Sequence, residues 1–381
     1  MTPDVQSRAR GGITIAAGGT GGHLFPAFAL AQELARRGRA IDLMTDGRGE
    51  RYDARFPSSN IHRIASGSMA LRRPLQSIVA AARLAAGTFH ARRILAASRP
   101  AAVVGFGGYP SIPPLLAAAL TRTPICIHEQ NAVMGRANRL LALFAKAVAL
   151  SFPDTKAVPG AVMKRLVVTG NPARDAVIAA AKKDYPQIPK KGLDLLVFGG
   201  SQGARVMSDI VPAAMSQLPA SVRQGLKVVQ QARKEDMARV AKAYETAGIK
   251  AEVADFFDDL PARIAGSHLV IARAGASSIA ELGIIGRPAI LVPLPGAIDD
   301  DQLNNARAFS SAGAGWVVDQ SEFTAERLAG LITRLRFDPA GLAEAAARAR
   351  SFGRGDAVIQ LADVVEGLAD GATDDAEEVP R

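Results

Sequence analysis

Two glycine-rich turns and one run of polar residues contain the groups best able to do chemistry in this chain. The first turn is Gly18-Gly19-Thr20-Gly21-Gly22, and His23 comes directly after it. An apolar run at residues 13–17 precedes the turn, and a helical apolar pattern follows from about Pro26, which predicts a strand, a turn and a helix. Glycines let backbone N–H groups approach an anion closely, and the positive end of a helix favours negative charge. The turn therefore predicts a phosphate or diphosphate ligand, with a tight turn that binds nothing as the alternative.

His23 stands where the first turn becomes a helix. The helix dipole disfavours an imidazolium at this position, so a neutral His23 is suited to accept a proton. The alternative is a histidine that only packs or caps the helix.

The first turn does not fit the dinucleotide fingerprint, because the third glycine is missing when the motif is counted from Gly19. It also lacks the spacing and the lysine of a P-loop.

The second candidate is the polar run His128-Glu129-Gln130-Asn131, which follows an apolar strand predicted over 124–128. Open α/β sheets place ligand-binding groups at the carboxyl ends of their strands. Four consecutive polar residues are not expected in a core, so this run is predicted at such an edge. Gly107-Gly108-Tyr109 holds the same position after the preceding strand. A plain surface loop is the alternative.

The second half of the chain repeats the opening design. The second turn, Gly199-Gly200-Ser201-Gln202-Gly203-Ala204, follows an apolar strand, and Ser201 adds a hydroxyl to its backbone donors. Later, small residues begin a helix, and Glu281 follows one turn on, where a carboxylate can accept both hydroxyls of a ribose. It can equally be a favourable first-turn charge. Asp299-Asp300-Asp301 contains an Asp-x-Asp that can bind Mg²⁺, although loop aspartates more often face solvent.

The elements that must position these groups alternate between strands and helices in both halves. This pattern predicts an α/β fold with two Rossmann-like, doubly wound parallel-sheet domains facing a cleft. A Pro- and Lys-rich connector marks the link between them. The predicted division is a first domain over 1–175, a linker over 176–192, a second domain over 193–355, and a C-terminal helix with a disordered tail over 356–381.

Composition limits the class of protein. The chain has 381 residues, of which 48% are hydrophobic, which predicts a soluble globular protein of two or three domains. Cys126 is the only cysteine, so an intrachain disulfide is excluded and a reducing compartment is favoured. The sequence has no apolar run of membrane-spanning length and no evident secretory signal, so a cytoplasmic protein is expected.

The positive charge is concentrated in the first half. Residues 1–170 carry 22 Lys and Arg against 8 Asp and Glu, whereas the remainder carries 24 against 28. Residues 70–95 combine basic and apolar side chains, a composition that can lie on an anionic membrane surface. A solvated helix with one face in the core is the alternative for this stretch.

The motifs, in this order along the chain, resemble those of the MurG family of glycosyltransferases, which converts lipid I to lipid II in bacterial peptidoglycan synthesis. The similarity runs from about residue 11 to residue 355. It implies a GT-B fold and inverting transfer of GlcNAc from UDP-GlcNAc to the 4-hydroxyl of undecaprenyl-diphosphate-MurNAc-pentapeptide, without a cofactor or metal ion. It also implies a peripheral protein on the cytoplasmic face of the inner membrane, in contact with anionic lipid. Other cell-wall synthesis proteins are candidate partners, and nucleic acid is not.

The resemblance assigns site residues by position in the motifs. His23 is the implied general base, with Glu129 as its rival. The acceptor diphosphate is expected on Gly18, Gly19, Gly108 and Tyr109. The donor UDP-GlcNAc is expected on Thr20, Gly21, Gly22, Asn131, Arg174, Ser201, Phe257, Ala276, Ser277, Ser278, Ile279, Ala280, Glu281 and Gln302. Within that set, Glu281 is expected on the ribose hydroxyls, Phe257 beside the uracil and Gln302 at the sugar.

Two positions depart from the family pattern. Phe257 stands where an isoleucine is often found, which leaves a backbone contact to uracil intact and changes the packing. Asp301 precedes Gln302 where some members have His or Gln. Two other functions stay open at this point: an isomerase like UDP-GlcNAc 2-epimerase, which needs no lipid acceptor, and a non-catalytic module that binds a nucleotide sugar or a polyprenyl diphosphate.

Overall fold

The computed structural model describes residues 11–19, 21–47, 56–67, 74–200, 203–297 and 299–371, and it leaves out the side chains of residues 74–78. The chain divides into two compact units. The first unit runs to Arg174 and takes up the chain again from Asp356, and the second unit is Asp175–Gly355. Each unit has its own parallel sheet.

The sheet of the first unit has seven strands in the order β3-β2-β1-β4-β5-β6-β7, all parallel. The order reverses between β1 and β4, where Ala16 pairs with Gly105. The segments that leave these two strands therefore start side by side at the carboxyl edge, which is where such sheets bind ligands. The strands are β1 Ile13–Ala16, β2 Ile41–Thr45, β3 Asn60–Arg63, β4 Ala102–Gly105, β5 Ile125–Glu129, β6 Ala147–Leu150 and β7 Leu166–Val168.

The sheet of the second unit has six strands in the order β10-β9-β8-β11-β12-β13 and is also parallel throughout. Here the order reverses between β8 and β11. The second turn leaves β8, and the segment that contains Glu281 leaves β11. The strands are β8 Leu193–Phe198, β9 Leu226–Gln231, β10 Lys250–Ala254, β11 Leu269–Ala272, β12 Ala289–Leu291 and β13 Gly315–Val317.

Helices cover the sheets, as parallel strands buried on both faces require. In chain order they are α1 Gly21–Arg36, α2 Pro74–Ser98, α3 Ile112–Thr121, α4 Arg136–Leu141, α5 Asp175–Ala180, α6 Arg205–Gln217, α7 Ala220–Arg223, α8 Met237–Thr246, α9 Leu260–Gly266, α10 Ala276–Ile285, α11 Asp301–Ser311, α12 Ala325–Arg336, α13 Pro339–Phe352 and α14 Ala357–Ala369. Short 3₁₀ turns lie at Tyr109–Ser111, Ala142–Phe144, Gly160–Arg165 and Gln320–Glu322.

The C-terminal helix α14 belongs to the first unit. Its apolar side chains, among them Leu361 and Val365, are buried in the same core as Leu30 and Leu34 of α1. Arg39, whose side chain is almost fully buried, donates to Glu366 at 2.8 Å and to Asp370. Burial raises the pKa of the Glu366 carboxyl, but hydrogen bonds from Arg39 and Arg37 outweigh that effect, so the pKa lies below its usual value.

Residues 176–192, expected as a linker, pack on the second unit. Arg287 is buried and donates from Nη2 to the carbonyl of Asp184 at 2.8 Å. The hydroxyl of Tyr185 donates to the carbonyl of His268, also at 2.8 Å. Arg287 and Tyr185 therefore hold this segment to the second unit.

Candidate active site

The first turn is packed tightly at the carboxyl edge of its sheet. A Cβ on Gly18 would lie 2.8 Å from Asp46 Oδ1 and 2.9 Å from Pro110 Cβ, so only glycine fits. Gly19 has a φ of +82°, and its N–H donates to Asp46 Oδ1 at 3.2 Å. Both glycines thus have structural reasons to be glycine, and one predicted diphosphate donor is bonded to the end of β2. Thr20 lies outside the described residues.

His23 lies in the first turn of α1, and it is held by a chain of side-chain hydrogen bonds. Its Nδ1 is 3.0 Å from Gln130 Oε1. Gln130 Nε2 is 3.0 Å from His128 Nδ1 and 2.9 Å from the carbonyl oxygen of His128. His128 Nε2 is 2.9 Å from the carbonyl oxygen of Gly170. His23 is partly exposed, whereas His128 and Gln130 are buried.

His128 is neutral at neutral pH. Its complete burial lowers the pKa to about 4, and the bond to Gly170, which raises the pKa, does not offset this effect. The expectation that the polar run stays out of the core is therefore wrong for His128, Glu129 and Gln130, all of which are buried. They can be buried because each finds hydrogen-bond partners in the fold.

Glu129 ends β5 and organises the loop that follows. Its Oε1 accepts from the backbone N–H of Asn131 at 3.0 Å and from Asn131 Nδ2 at 3.3 Å. Its Oε2 accepts from the Gly135 N–H at 2.9 Å and from Asn138 Nδ2 at 2.8 Å. Both oxygens of this rival base are thus committed to donors that shape residues 131–138.

Gly108, in the loop that follows β4, lies against the His23 ring. A Cβ at Gly108 would lie 3.3 Å from His23 Nε2. Its φ of +71° also favours glycine. The next residue, Tyr109, is 40% exposed. The structure therefore brings together His23, Gly108 and Gln130, which sequence spacing could only place on separate strand ends.

Three more predicted donor residues lie in the first unit near α1. Gly21 is buried and Gly22 is exposed in the first turn of the helix. The Arg174 guanidinium lies over the ring of Phe25, 4.2 Å from its centroid. Cation–π contact of this kind orients the guanidinium without consuming its five donors.

The described residues of the second turn resemble those of the first in two respects, the crowding at the first glycine and the positive φ of the second. A Cβ on Gly199 would collide with the backbone N of Ala204, and Gly200 and Gly203 have φ of +88° and +67°. The Gly199 N–H donates to Gln231 Oε1 at 3.1 Å. Helix α6 then begins at Arg205, with Ala204 as N-cap. Ser201 lies outside the described residues.

The segment of small residues forms the start of α10, with Gly275 as N-cap. The Ile279 N–H donates to the Gly275 carbonyl at 3.0 Å, and the Ile279 side chain is buried, so this residue serves the helix. Backbone N–H groups in the first turn of a helix lie at its positive end, which suits this position to an anion. Ser277, Ser278 and Ala280 are partly exposed, and Ala276 and Glu281 are buried.

The two remaining donor predictions lie elsewhere in the second unit. The Phe257 side chain is buried beneath Arg263, whose guanidinium is 4.3 Å from the ring centroid, and the neighbouring Phe256 is exposed. Gln302 lies in the first turn of α11, where its Oε1 accepts from the Leu294 N–H at 3.0 Å. Within the described ranges, no three His, Cys, Asp or Glu side chains form a group that could hold a metal ion.

Arg273, to which sequence reasoning gave no role, holds a loop next to the candidate donor residues. It follows β11 directly, and its buried guanidinium donates to the carbonyls of Val292 and Pro293 at 3.0 and 2.9 Å. Burial lowers its pKa. Arg273 thereby fixes the loop that leads towards Gln302. An arginine directly after an apolar strand was the available signal.

Comparisons with known proteins now bear on the identity of the chain. Residues 13–150 match the glycosyltransferase family 28 N-terminal domain, and residues 194–361 match the C-terminal domain of that family. The crystal structure of Acinetobacter baumannii MurG aligns with a TM-score of 0.77 at 31% identity, covering 93% of this chain and 99% of that one. A UDP-GlcNAc 2-epimerase from Neisseria meningitidis aligns at 0.65 with 14% identity, covering 94% and 100%, a likeness in fold alone. These matches confirm the predicted α/β, GT-B fold class.

Two curated relatives match over nearly their whole length. A UDP-N-acetylglucosamine--N-acetylmuramyl-(pentapeptide) pyrophosphoryl-undecaprenol N-acetylglucosamine transferase from Methylobacterium sp. (strain 4-46) is 52% identical over 355 residues, which are 93% of this chain and 95% of that protein. The enzyme of the same name from Rhodospirillum centenum is 50% identical over 358 residues, 94% of each chain. The chain belongs to this family of N-acetylglucosamine transferases, the MurG glycosyltransferases.

Proposed function

We propose that this protein transfers GlcNAc from UDP-GlcNAc to the 4-hydroxyl of MurNAc in undecaprenyl-diphosphate-MurNAc-pentapeptide, with inversion at the anomeric carbon. The products are lipid II and UDP. Family membership supports the substrates. The observation that carries the chemistry is a partly exposed His23 at the switch point of a parallel sheet, with its Nδ1 bound to Gln130.

In this proposal His23 is the general base. The acceptor hydroxyl attacks the anomeric carbon while His23 Nε2 takes its proton, and the bond from that carbon to the UDP oxygen breaks. A positioned base of this kind contributes about 100- to 10,000-fold in rate. Glu129 fits the role less well, because both of its oxygens accept hydrogen bonds from the 131–138 loop.

The second unit holds the donor in this proposal. Negative charge grows on the departing diphosphate, and backbone N–H groups at a helix start stabilise such charge. The second turn and the first turn of α10 supply donors of this type, and the buried Glu281 accepts from the ribose hydroxyls. The acceptor diphosphate lies along the first turn with Gly108 and Tyr109.

The proposed location is the cytoplasmic face of the inner membrane, on anionic lipid and near other cell-wall synthesis proteins. Each helix in the described part of the chain is too short or too polar to span a bilayer. Helix α2 supports surface binding, because it exposes Val79 and Phe89 together with Arg83 and Arg92. Residues 70–73 of the predicted patch lie outside the described residues.

Vesicle binding tests this location. The double variant Arg83→Glu with Arg92→Glu should bind vesicles containing anionic lipid at least tenfold more weakly, since each basic residue near such a surface contributes about 1 kcal/mol. The matched control is Lys191→Glu, a charge reversal at an exposed residue of the second unit. Equal binding by the double variant and the control would reject α2 as the contact.

One assay tests the activity against its two alternatives. The protein is incubated with UDP-[14C]GlcNAc and a short-chain lipid I analogue. Label that enters the lipid product supports the transferase. Label that moves to UDP-ManNAc would replace it with an epimerase, and binding without turnover would leave a non-catalytic module.

A further inference from the structure

A chain of hydrogen bonds runs from Gly170 through His128 and Gln130 to His23. In each of these bonds the structure determines which atom donates and which accepts. We infer that Gln130 and His128 are positioning residues that fix His23 in the tautomer with the proton on Nδ1 and the lone pair on Nε2. The inference rests on the proposed function, in which His23 is the base. It adds two residues that act through His23 and determine whether the base is competent.

The direction is set at Gly170. A backbone carbonyl can only accept, so His128 Nε2, 2.9 Å away, must carry the proton. A neutral imidazole then has an unprotonated Nδ1. The ring stays neutral at physiological pH because its burial opposes the charged form. His128 Nδ1 is therefore an acceptor, fixed by an atom 42 residues away in the sequence.

Gln130 connects the protonation of His128 to that of His23. Its Nε2 lies 2.9 Å from the carbonyl of His128, another group that can only accept, so the amide orientation is fixed with nitrogen on that side. The second N–H of the same nitrogen donates to His128 Nδ1 at 3.0 Å. Oε1 must then face His23 as an acceptor, and His23 Nδ1, 3.0 Å away, must donate to it.

The remaining nitrogen of His23 is consequently the basic one. His23 Nε2 faces Gly108, and a Cβ on Gly108 would lie only 3.3 Å from it. The opposite tautomer would set the Nδ1 lone pair against Oε1 and lose this partly buried hydrogen bond. After proton transfer Nδ1–H still donates to Oε1, so the same contacts hold the imidazolium and the new proton remains on Nε2.

Nitrogen-15 NMR of histidine-labelled protein tests the tautomers directly. The chain has five histidines, and the variants His23→Ala and His128→Asn assign the two signals of interest. We expect the Nδ1–H form at His23 and the Nε2–H form at His128. An Nε2–H form at His23, or a His128 that titrates near pH 6.5, would overturn the inference.

Two substitutions at Gln130 provide a kinetic test. Gln130→Met removes the acceptor, and we expect kcat to fall about 10- to 100-fold with the KM for UDP-GlcNAc within twofold. Gln130→Glu keeps an acceptor towards Nδ1 of His23 and adds a charge, but it loses both donor bonds to His128, so it should restore part of kcat. The carboxylate favours the imidazolium, so the acid limb of kcat/KM should move to higher pH by about one unit or more.

The other titratable or charged groups on elements next to His23 are Asp46, Tyr109, Glu129 and Arg174, and they are the same in both variants. A role in folding alone would lower the melting temperature without moving the acid limb. If the acid limb does not move in Gln130→Glu, or if folded Gln130→Met keeps kcat within twofold, the positioning role is wrong. If His23→Ala keeps full kcat while the tautomers are as expected, the proposed base fails and the hydrogen-bonded chain stands.

Discussion

In their described residues the two glycine turns share two features, a first glycine with no room for a Cβ and a second glycine with positive φ, and they differ in what lies against them. At Gly18 and at Gly199 a Cβ would collide with neighbouring atoms, so both positions require glycine whether or not a ligand binds. In each turn one glycine N–H is bonded to a side-chain oxygen. Gly19 donates to the carboxylate of Asp46, whereas Gly199 donates to the neutral amide of Gln231.

The residue that follows each turn differs as well. His23 follows the first turn and is held by Gln130, whereas Arg205 follows the second turn, so no imidazole is present at that position. We infer a division of roles, in which the first turn positions a base and the second, beside a neutral amide, suits an anionic nucleotide. Glycine count alone therefore says little about ligands, and the neighbours of each turn are the informative feature.

The largest expected effect comes from the residue that distinguishes the first turn. His23→Ala should lower kcat about 100- to 10,000-fold and leave the KM for UDP-GlcNAc nearly unchanged, because a base acts on the transition state. Steady-state kinetics with a soluble lipid I analogue measure both constants. His90→Ala, at an exposed position of α2, is the matched control. Unchanged kcat in His23→Ala would remove the distinction between the two turns.

A substitution in the second unit should change KM more than kcat, the opposite of what we expect for His23→Ala. Glu281→Ala should raise the KM for UDP-GlcNAc about 10- to 100-fold with a smaller change in kcat, since hydrogen bonds to a charged group contribute about 1.5–3 kcal/mol. Glu344→Ala removes a carboxylate from the exposed surface of α13 and serves as the control. A loss confined to kcat would contradict a role for Glu281 in donor binding.

Replacing Gln231 by glutamate should give the second turn a carboxylate neighbour like the one that Asp46 gives the first turn. Gln231→Glu places a carboxylate against Gly199, and UDP affinity measured by calorimetry should fall about tenfold at low salt, and less at high salt, through electrostatic repulsion. Because Gln231 Nε2 also donates to the Asp255 carbonyl, thermal unfolding without UDP is measured in parallel. Full UDP affinity in a folded Gln231→Glu protein would show that no anion sits at this turn.

The smallest effect is expected from the reciprocal change. Asp46→Asn keeps an oxygen that can accept from Gly19, so the free energy of unfolding should fall by about 1 kcal/mol or less. UDP affinity should stay within twofold. A tenfold change in UDP affinity would place the nucleotide on the first turn instead.

Much of the fold could be predicted because parallel strands buried on both faces are short apolar runs between polar loops. Helix α1 shows the limit at element ends: Pro26 suggested the start of the helix, but the helix begins at Gly21. The glycines that follow Thr20 are therefore helical residues, and Pro26 lies within the helix. Helix-start signals are weak where glycines precede a proline.

Sequence patterns suggest single residues for the candidate site, but they do not contain the hydrogen bonds that join His23 to Gln130 and Gln130 to His128. His128 and Gln130 look like part of a polar loop, because nothing in the run shows that Gly170 will bond to His128 and that His23 will bond to Gln130. Those partners are 42 and 107 residues away. Burial of polar groups depends on contacts between distant parts of the chain, which local spacing does not contain.

The return of α14 to the first unit has a consequence for synthesis on the ribosome. Leu361 and Val365 complete the core around α1. Arg39 can bond to Glu366 and Asp370 only after α14 has been made. At about 5–20 residues per second, the whole of Asp175–Gly355 takes roughly ten seconds or more to emerge before that helix exists. The unit whose first 174 residues are translated first is therefore the last to complete its core.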